Sequence, residues 1–204
     1  MIHLYAFVGG LTRVPAGVET IAAGNVRAVF ARSSGDTRDD VIRHGRVLEQ
    51  LLESATAVLP VRFGERFPSV EALESVVAAR RRELEIALAK VDGCVELAVR
   101  VARGTDDSVP PRSGGRDYMR SRLRAISEDA ALVSSLDGAL RAHARATTVA
   151  QRPASTLLHD ASYLVDRGAV AEFAAAVDRY AAWYPELAVL CTGPWPPASF
   201  AEVS

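Results

Sequence analysis

A ten-residue alternation near the middle of the chain does most to limit how the rest can fold. From Cys94 to Arg103, Val95, Leu97, Val99 and Val101 alternate with Glu96, Ala98, Arg100 and Ala102, which predicts a strand with one buried face. Asp92-Gly93 just before it breaks a helical pattern. After it, residues 104–115 are loop chemistry, and Met119, Leu123, Ile126, Ala130, Val133, Leu136 and Leu140 share one face of a long helix. Residues 147–150 read as a strand closed by Arg152-Pro153, and residues 155–165 as another. Residues 167–183 form a helix with Val170, Phe173, Ala174, Val177, Tyr180 and Ala181 inward, and residues 186–192 a last strand. The order β-α-β-β-α-β is that of the ferredoxin-like split βαβ unit. Two right-handed crossovers there place both helices on one face of a four-stranded antiparallel sheet.

The residues before this unit read as a second, smaller α+β domain. Residues 2–8, rich in β-branched and aromatic side chains, form a strand that stops at Gly9-Gly10, and residues 25–32 repeat the pattern. Residues 33–37 supply turn and N-cap chemistry for a helix whose stripe is Val41, His44, Val47, Leu48, Leu51 and Leu52. Residues 57–64 are a short strand interrupted by Pro60, which belongs at an edge, a strand start or a bulge because it has no N–H for the ladder. Pro68-Ser69 caps one helix running from Val70 to Val91, with Val70, Leu73, Val77, Leu84, Leu88 and Val91 as its seam and Arg80-Arg81-Arg82 on a solvated face. The expected organisation is a domain at 1–92 ending in this long helix and a ferredoxin-like domain at 93–204 with a Pro-rich tail.

Charge and composition exclude several classes of function. Twenty-four Lys and Arg against 25 Asp and Glu leave a net charge of −1, without the cationic field that nucleic-acid binding uses. No apolar stretch approaches the ~18–20 residues of a membrane helix. The N-terminus shows no secretory signal, so the expected compartment is the cytoplasm. Cys94 and Cys191 are too few for a disulfide scaffold and read as small core residues.

The chemistry of the motifs is structural. No glycine-rich phosphate cradle is present, and His3, His44, His143 and His159 lack the spacing that puts two metal ligands on one helix face. His159-Asp160 near Ser162 makes no nucleophile elbow, since neighbours in a strand face opposite ways. The expectation is no enzyme, no cofactor and no metal. Pro60, Gly64, Pro194, Pro196 and Pro197 are stiff backbone devices, and Arg62 between apolar neighbours suggests a guanidinium fixed by carboxylates or carbonyls. Trp195 and Phe200 stand in a proline-stiffened tail that packs back on the body or meets a partner.

Together these motifs carry a resemblance. Leu59-Pro60-Val61-Arg62-Phe63-Gly64 is similar to the "vlPvRFG" signature of the GvpF/GvpL family of gas vesicle accessory proteins. Ala161-Ser162-Tyr163-Leu164-Val165-Asp166 followed by Phe173 resembles that family's "asYLVd…F" segment. Residues 193–200 resemble its closing "GPWPPYSF", with Ala198 where a tyrosine is usual, and Leu4-Tyr5-Ala6-Phe7-Val8 resembles its first strand. Residues 113–119 follow the family's Gly-x-x-Tyr-Leu helix start loosely. The resemblance implies a non-enzymatic assembly factor of the gas vesicle, in the cytoplasm, that contacts the small hydrophobic shell protein and other accessory proteins during nucleation or growth. The residues it singles out for structure or partner binding are Pro60, Arg62, Phe63, Gly64, Tyr163, Trp195 and Phe200. Because ferredoxin-like sheets also host effectors, a small-ligand-binding or regulatory module stands as the alternative.

Overall fold

The computed structural model describes residues 1–32, 37–103, 115–150 and 157–201, with backbone alone at 115–118, 121–122 and 125–126. The expected turn at 33–36, most of the loop at 104–115, the strand end at Arg152-Pro153 and the side chain of Ile126 lie outside these residues.

The first sheet is built on β1 (Ile2–Gly9), whose residues from Ile2 to Val8 are all buried. Its order is β2 (Glu19–Ala23), β3 (Val26–Arg32), β1 and β4 (Ala57–Pro60), with β5 (Arg66–Phe67) pairing β1 beside β4. β4 is thus an edge, and Pro60 is its last residue, where the missing N–H breaks no inner ladder. One side of β1 packs on α1 (Arg38–Ser54): Tyr5, Ala6, Val8, Val29 and Ala31 share a core with Val47, Leu51 and Ala55. Alternation along β3 turns Ala28 and Phe30 the other way, toward the side where α3 (Arg81–Val91) contacts β1, β3 and β4. Thr37 begins α1 with a capping box, its hydroxyl accepting from Asp40 N–H while the Asp40 carboxylate accepts from Thr37 N–H.

Three local expectations change. β2 is an additional strand, joined to β3 by the two-residue loop Gly24-Asn25. The single helix expected over 70–91 is two, α2 (Val70–Ala79) and α3, meeting at Arg80 with φ −99° and ψ 8°. The bend lets α2 face β2 and β5 while α3 faces β1, β3 and β4. Arg80 clamps it with two 2.9 Å bonds from its guanidinium to Glu83. Val41, placed on the inner stripe of α1 by its spacing, is exposed.

The second sheet has the order β7 (Ala146–Val149), β8 (Leu157–Asp166), β6 (Cys94–Arg103), β9 (Leu187–Trp195). With α4 (Gly115–Arg141) between β6 and β7 and α5 (Val170–Trp183) between β8 and β9, this is the ferredoxin-like arrangement. Leu97, Val99, Val101, Ala161, Tyr163 and Val165 of the sheet share one core with Leu136, Leu140, Phe173 and Val177 of the helices. Met119 and Leu123, expected on the buried face of α4, are 58% and 62% exposed. A seam spaced by sevens drifts ~20° per heptad around a straight helix, so its far end leaves the face that Leu136 and Leu140 bury.

Two compact units result, residues 1–96 with 194–204, and residues 97–193. The Pro-rich tail, grouped by sequence with the C-terminal half, falls in the first unit.

Leu84, 1% exposed on α3, sits in the first unit's core. Leu84→Ala is expected to cost ~2–5 kcal/mol of unfolding free energy, measured by urea titration.

Candidate partner-binding loop

Where β4 ends, the chain makes an excursion between two pairings with the same strand. β4 pairs β1 from Ala6 to Gly9, β5 pairs it at Ile2 and His3, and the register of β1 slips between Leu4 and Ala6. The loop 61–65 sits opposite that bulge. Val61 N–H donates to Tyr5 O at 2.9 Å, Leu4 N–H donates to Glu65 O at 3.1 Å, and Glu65 N–H donates to Arg62 O at 3.3 Å. Gly64 has φ +94°, a left-handed conformation that a side chain strains, which explains glycine at this turn.

Two buried histidines hold the loop from beneath. His44 Nε2 lies 3.1 Å from Val61 O, and its Nδ1 lies 2.8 Å from His3 Nε2. A carbonyl oxygen only accepts, so Nε2 of His44 carries the proton, Nδ1 is a bare acceptor, and His3 Nε2–H donates to it. Burial pushes the His44 pKa below the ordinary value, opposed by the bond to Val61, and keeps the ring neutral as this chain requires. Tyr5 lies edge-on to His3 at 4.8 Å, and Phe63 packs on His3 at 5.2 Å and on His44 at 5.6 Å. Burial raises the Tyr5 pKa, with Arg43 acting against it and Asp40 with it.

This places the residues named from sequence. Pro60 and Phe63 are half-buried, while Gly64 and Arg62 are exposed. The fixed guanidinium expected at Arg62 is not formed: its side chain has no hydrogen bond or ion pair among the described residues. The apolar neighbours turn inward and leave the cation in solvent. Trp195 is 46% exposed and Phe200 half-buried in the tail. That tail is tied down by Ser199, whose N–H and hydroxyl donate to the buried Glu96 carboxylate at 2.8 and 2.7 Å. Tyr163 is fully buried in the second unit, its hydroxyl donating to Asp137 at 2.9 Å. Sequence reading passed over His3 and Glu96. The available signal was a histidine inside an unbroken apolar strand, which demands a polar partner from another element.

Comparison with known proteins decides what this loop belongs to. The family model described as gas vesicle synthesis protein GvpL/GvpF matches residues 2–202. The chain belongs to this family. It is 30% identical over 198 residues to gas vesicle protein F of Haloferax mediterranei, covering 92% of this chain and 84% of that one. With gas vesicle protein F1 of Halobacterium salinarum the identity is 31% over 169 residues, 82% of this chain and 71% of the relative. Crystal structures of GvpF from an Anabaena species and from Microcystis aeruginosa share the fold, with TM-scores of 0.83 and 0.79. Identities are 15% and 16%; coverage is 100% of this chain and 98% of the first structure, and 98% of both chains for the second. The α+β class and ferredoxin-like order are therefore features of a GvpL/GvpF protein.

A pH dependence follows from the buried rings. The unfolded chain takes up protons at histidine as the pH drops below about 6.5, whereas native His44 resists them. Stability is therefore complete above that pH and falls below it. His159, also lowered by burial, acts in the same direction. Each ring contributes a slope of at most about 1.4 kcal/mol per pH unit. His44→Gln is expected to flatten the fall between pH 7 and 5.5, as read by urea unfolding; an unchanged slope refutes the assignment.

Proposed function

We propose that this GvpL/GvpF protein is a non-enzymatic assembly factor that binds the small hydrophobic shell protein of the gas vesicle, together with other accessory proteins, during nucleation or growth. It works at the vesicle within the cytoplasm. The observation that carries the reading is the loop 61–65, within a family-signature segment: Arg62 is exposed, with no side-chain hydrogen bond or ion pair among the described residues, and the loop is held by backbone bonds and two buried histidines. A loop already fixed in its bound shape loses little entropy on association. Arg62 supplies a fork of donors for a partner's carboxylate or carbonyls, and Val61 and Phe63 supply apolar edges beside it. Trp195 and Phe200, on the tail pinned by Glu96, form a second candidate contact. No helix among the described residues is long and apolar enough to cross a membrane.

Co-expression with the shell protein, affinity capture and size exclusion test this. The wild-type chain is expected to retain shell protein in a soluble complex. Arg62→Glu is expected to lose it by about tenfold or more, with an unchanged melting temperature because the side chain has no partner to leave behind among the described residues. Absence of any shell or accessory protein on the wild-type chain overturns the proposal, and equal capture by Arg62→Glu overturns the role of the loop.

A further inference from the structure

The second unit carries an open groove of about 580 Å³ along α4, bordered by the end of β7 and the start of β8. Val133, Val149 and Leu158 give it apolar walls, and Asp129, Ser134, Asp137 and His159 its polar side; among the described residues no Lys or Arg lines it.

A proton count fixes what the polar side offers. Tyr163 Oη lies 2.9 Å from Asp137 Oδ1 and 3.0 Å from His159 Nε2. Arg141 Nε donates to the other oxygen of Asp137 at 2.6 Å, so both oxygens of that side chain act as acceptors. The single phenol proton therefore goes to Asp137, and the phenol oxygen accepts from Nε2–H of His159. His159 is 3% exposed, and burial lowers its pKa against the pull of Asp137 and Asp160, so the ring is neutral and holds that one proton. Its Nδ1 is then an unprotonated acceptor with no partner among the described residues. Asp137 keeps further lone pairs, and the hydroxyl of Ser134 accepts as well.

A groove with acceptors on one side and hydrocarbon on the other selects a donor of matching form. We propose that it binds a primary ammonium on an apolar stem, the N–H groups donating to His159 Nδ1, Asp137 and Ser134 while the stem lies along Val133, Val149 and Leu158. A carboxylate finds one donor there, the Ser134 hydroxyl, beside the carboxylates of Asp129 and Asp137, and a neutral alcohol brings one donor instead of three. A free alkylamine and the lysine side chain of an apolar partner segment share this chemistry.

The test is a titration of the full chain carrying ¹⁵N-labelled histidine, followed at His159 Nδ1. The probes are n-pentylammonium, n-pentanol, pentanoate, and a short apolar peptide with a central lysine or norleucine. Saturable movement of the Nδ1 resonance is expected with pentylammonium, with the lysine peptide, or with both, and at least about tenfold weaker binding of pentanol and pentanoate. Response to the peptide over its norleucine form assigns the source to a protein side chain; response to the amine alone assigns a free amine. Ser134 is exposed on α4, so Ser134→Lys tolerates the fold and supplies a tethered competitor. It is expected to abolish the titration, while Ser134→Met, similar in length and uncharged, retains more of it. No saturation with either ammonium probe, equal binding of pentanol, or an unaffected Ser134→Lys titration overturns the proposal.

Discussion

The first unit depends on a strand that no water reaches from either side. Because β1 is covered by α1 on one face and faces α3 on the other, its polar side chain at His3 has to be satisfied within the fold. The partner comes from α1, and His44 in turn spends its other nitrogen on the carbonyl of Val61. Burial of one strand thus fixes the helix against it and the loop above it in a single chain of hydrogen bonds. The bulge at Tyr5 completes the arrangement, since it frees the carbonyl that Val61 N–H needs.

How far this was legible in the sequence depends on whether a feature has a period. The alternation at 94–103 and the helical spacings at 119–140 and 167–183 place the elements of the second unit in order, because each buries one face against a common core. β2 escaped because its residues 19–23 contain one large apolar side chain, Ile21, and an edge strand exposed on one side needs no more; only Gly24-Asn25 announces the hairpin. The bend at Arg80 left one mark, the gap in the seam between Val77 and Leu84 where the arginine triplet stands, but a solvated face accounts for that gap equally well and the seam does not record that the two halves face different strands.

The loop at 60–64 shows the limit most sharply. Its proline and glycine disclosed a stiff turn, but apolar neighbours at Val61 and Phe63 suggested a buried guanidinium at Arg62, and the opposite holds. Val61 and Phe63 are half-buried with Arg62 exposed between them, an alternation in which apolar neighbours point away from the residue they flank. The histidine contact is invisible for a different reason. It joins positions 41 residues apart, and a single sequence contains no signal for a pair that only the packing of α1 on β1 creates.

The choice of histidines under this loop is itself intelligible. Each described ion pair leaves both its side chains at least a fifth exposed, so opposite charges are paired only where solvent shares the cost. Among the described residues the buried polar ones are His3, His44, His159, Ser54 and Glu96. Three are imidazole rings, and a neutral ring donates on one nitrogen and accepts on the other, as His44 does between Val61 and His3, which relays a hydrogen bond through an apolar interior without desolvating a charge. Glu96 is the buried carboxylate among them, and it takes two donors from Ser199. A carboxylate so held carries a penalty if the tail leaves, whereas the His3–His44–Val61 relay makes no such demand on the exposed side of its loop. The tail is therefore fixed by what it satisfies, while the loop is fixed from below and keeps Arg62 available to whatever approaches from solvent.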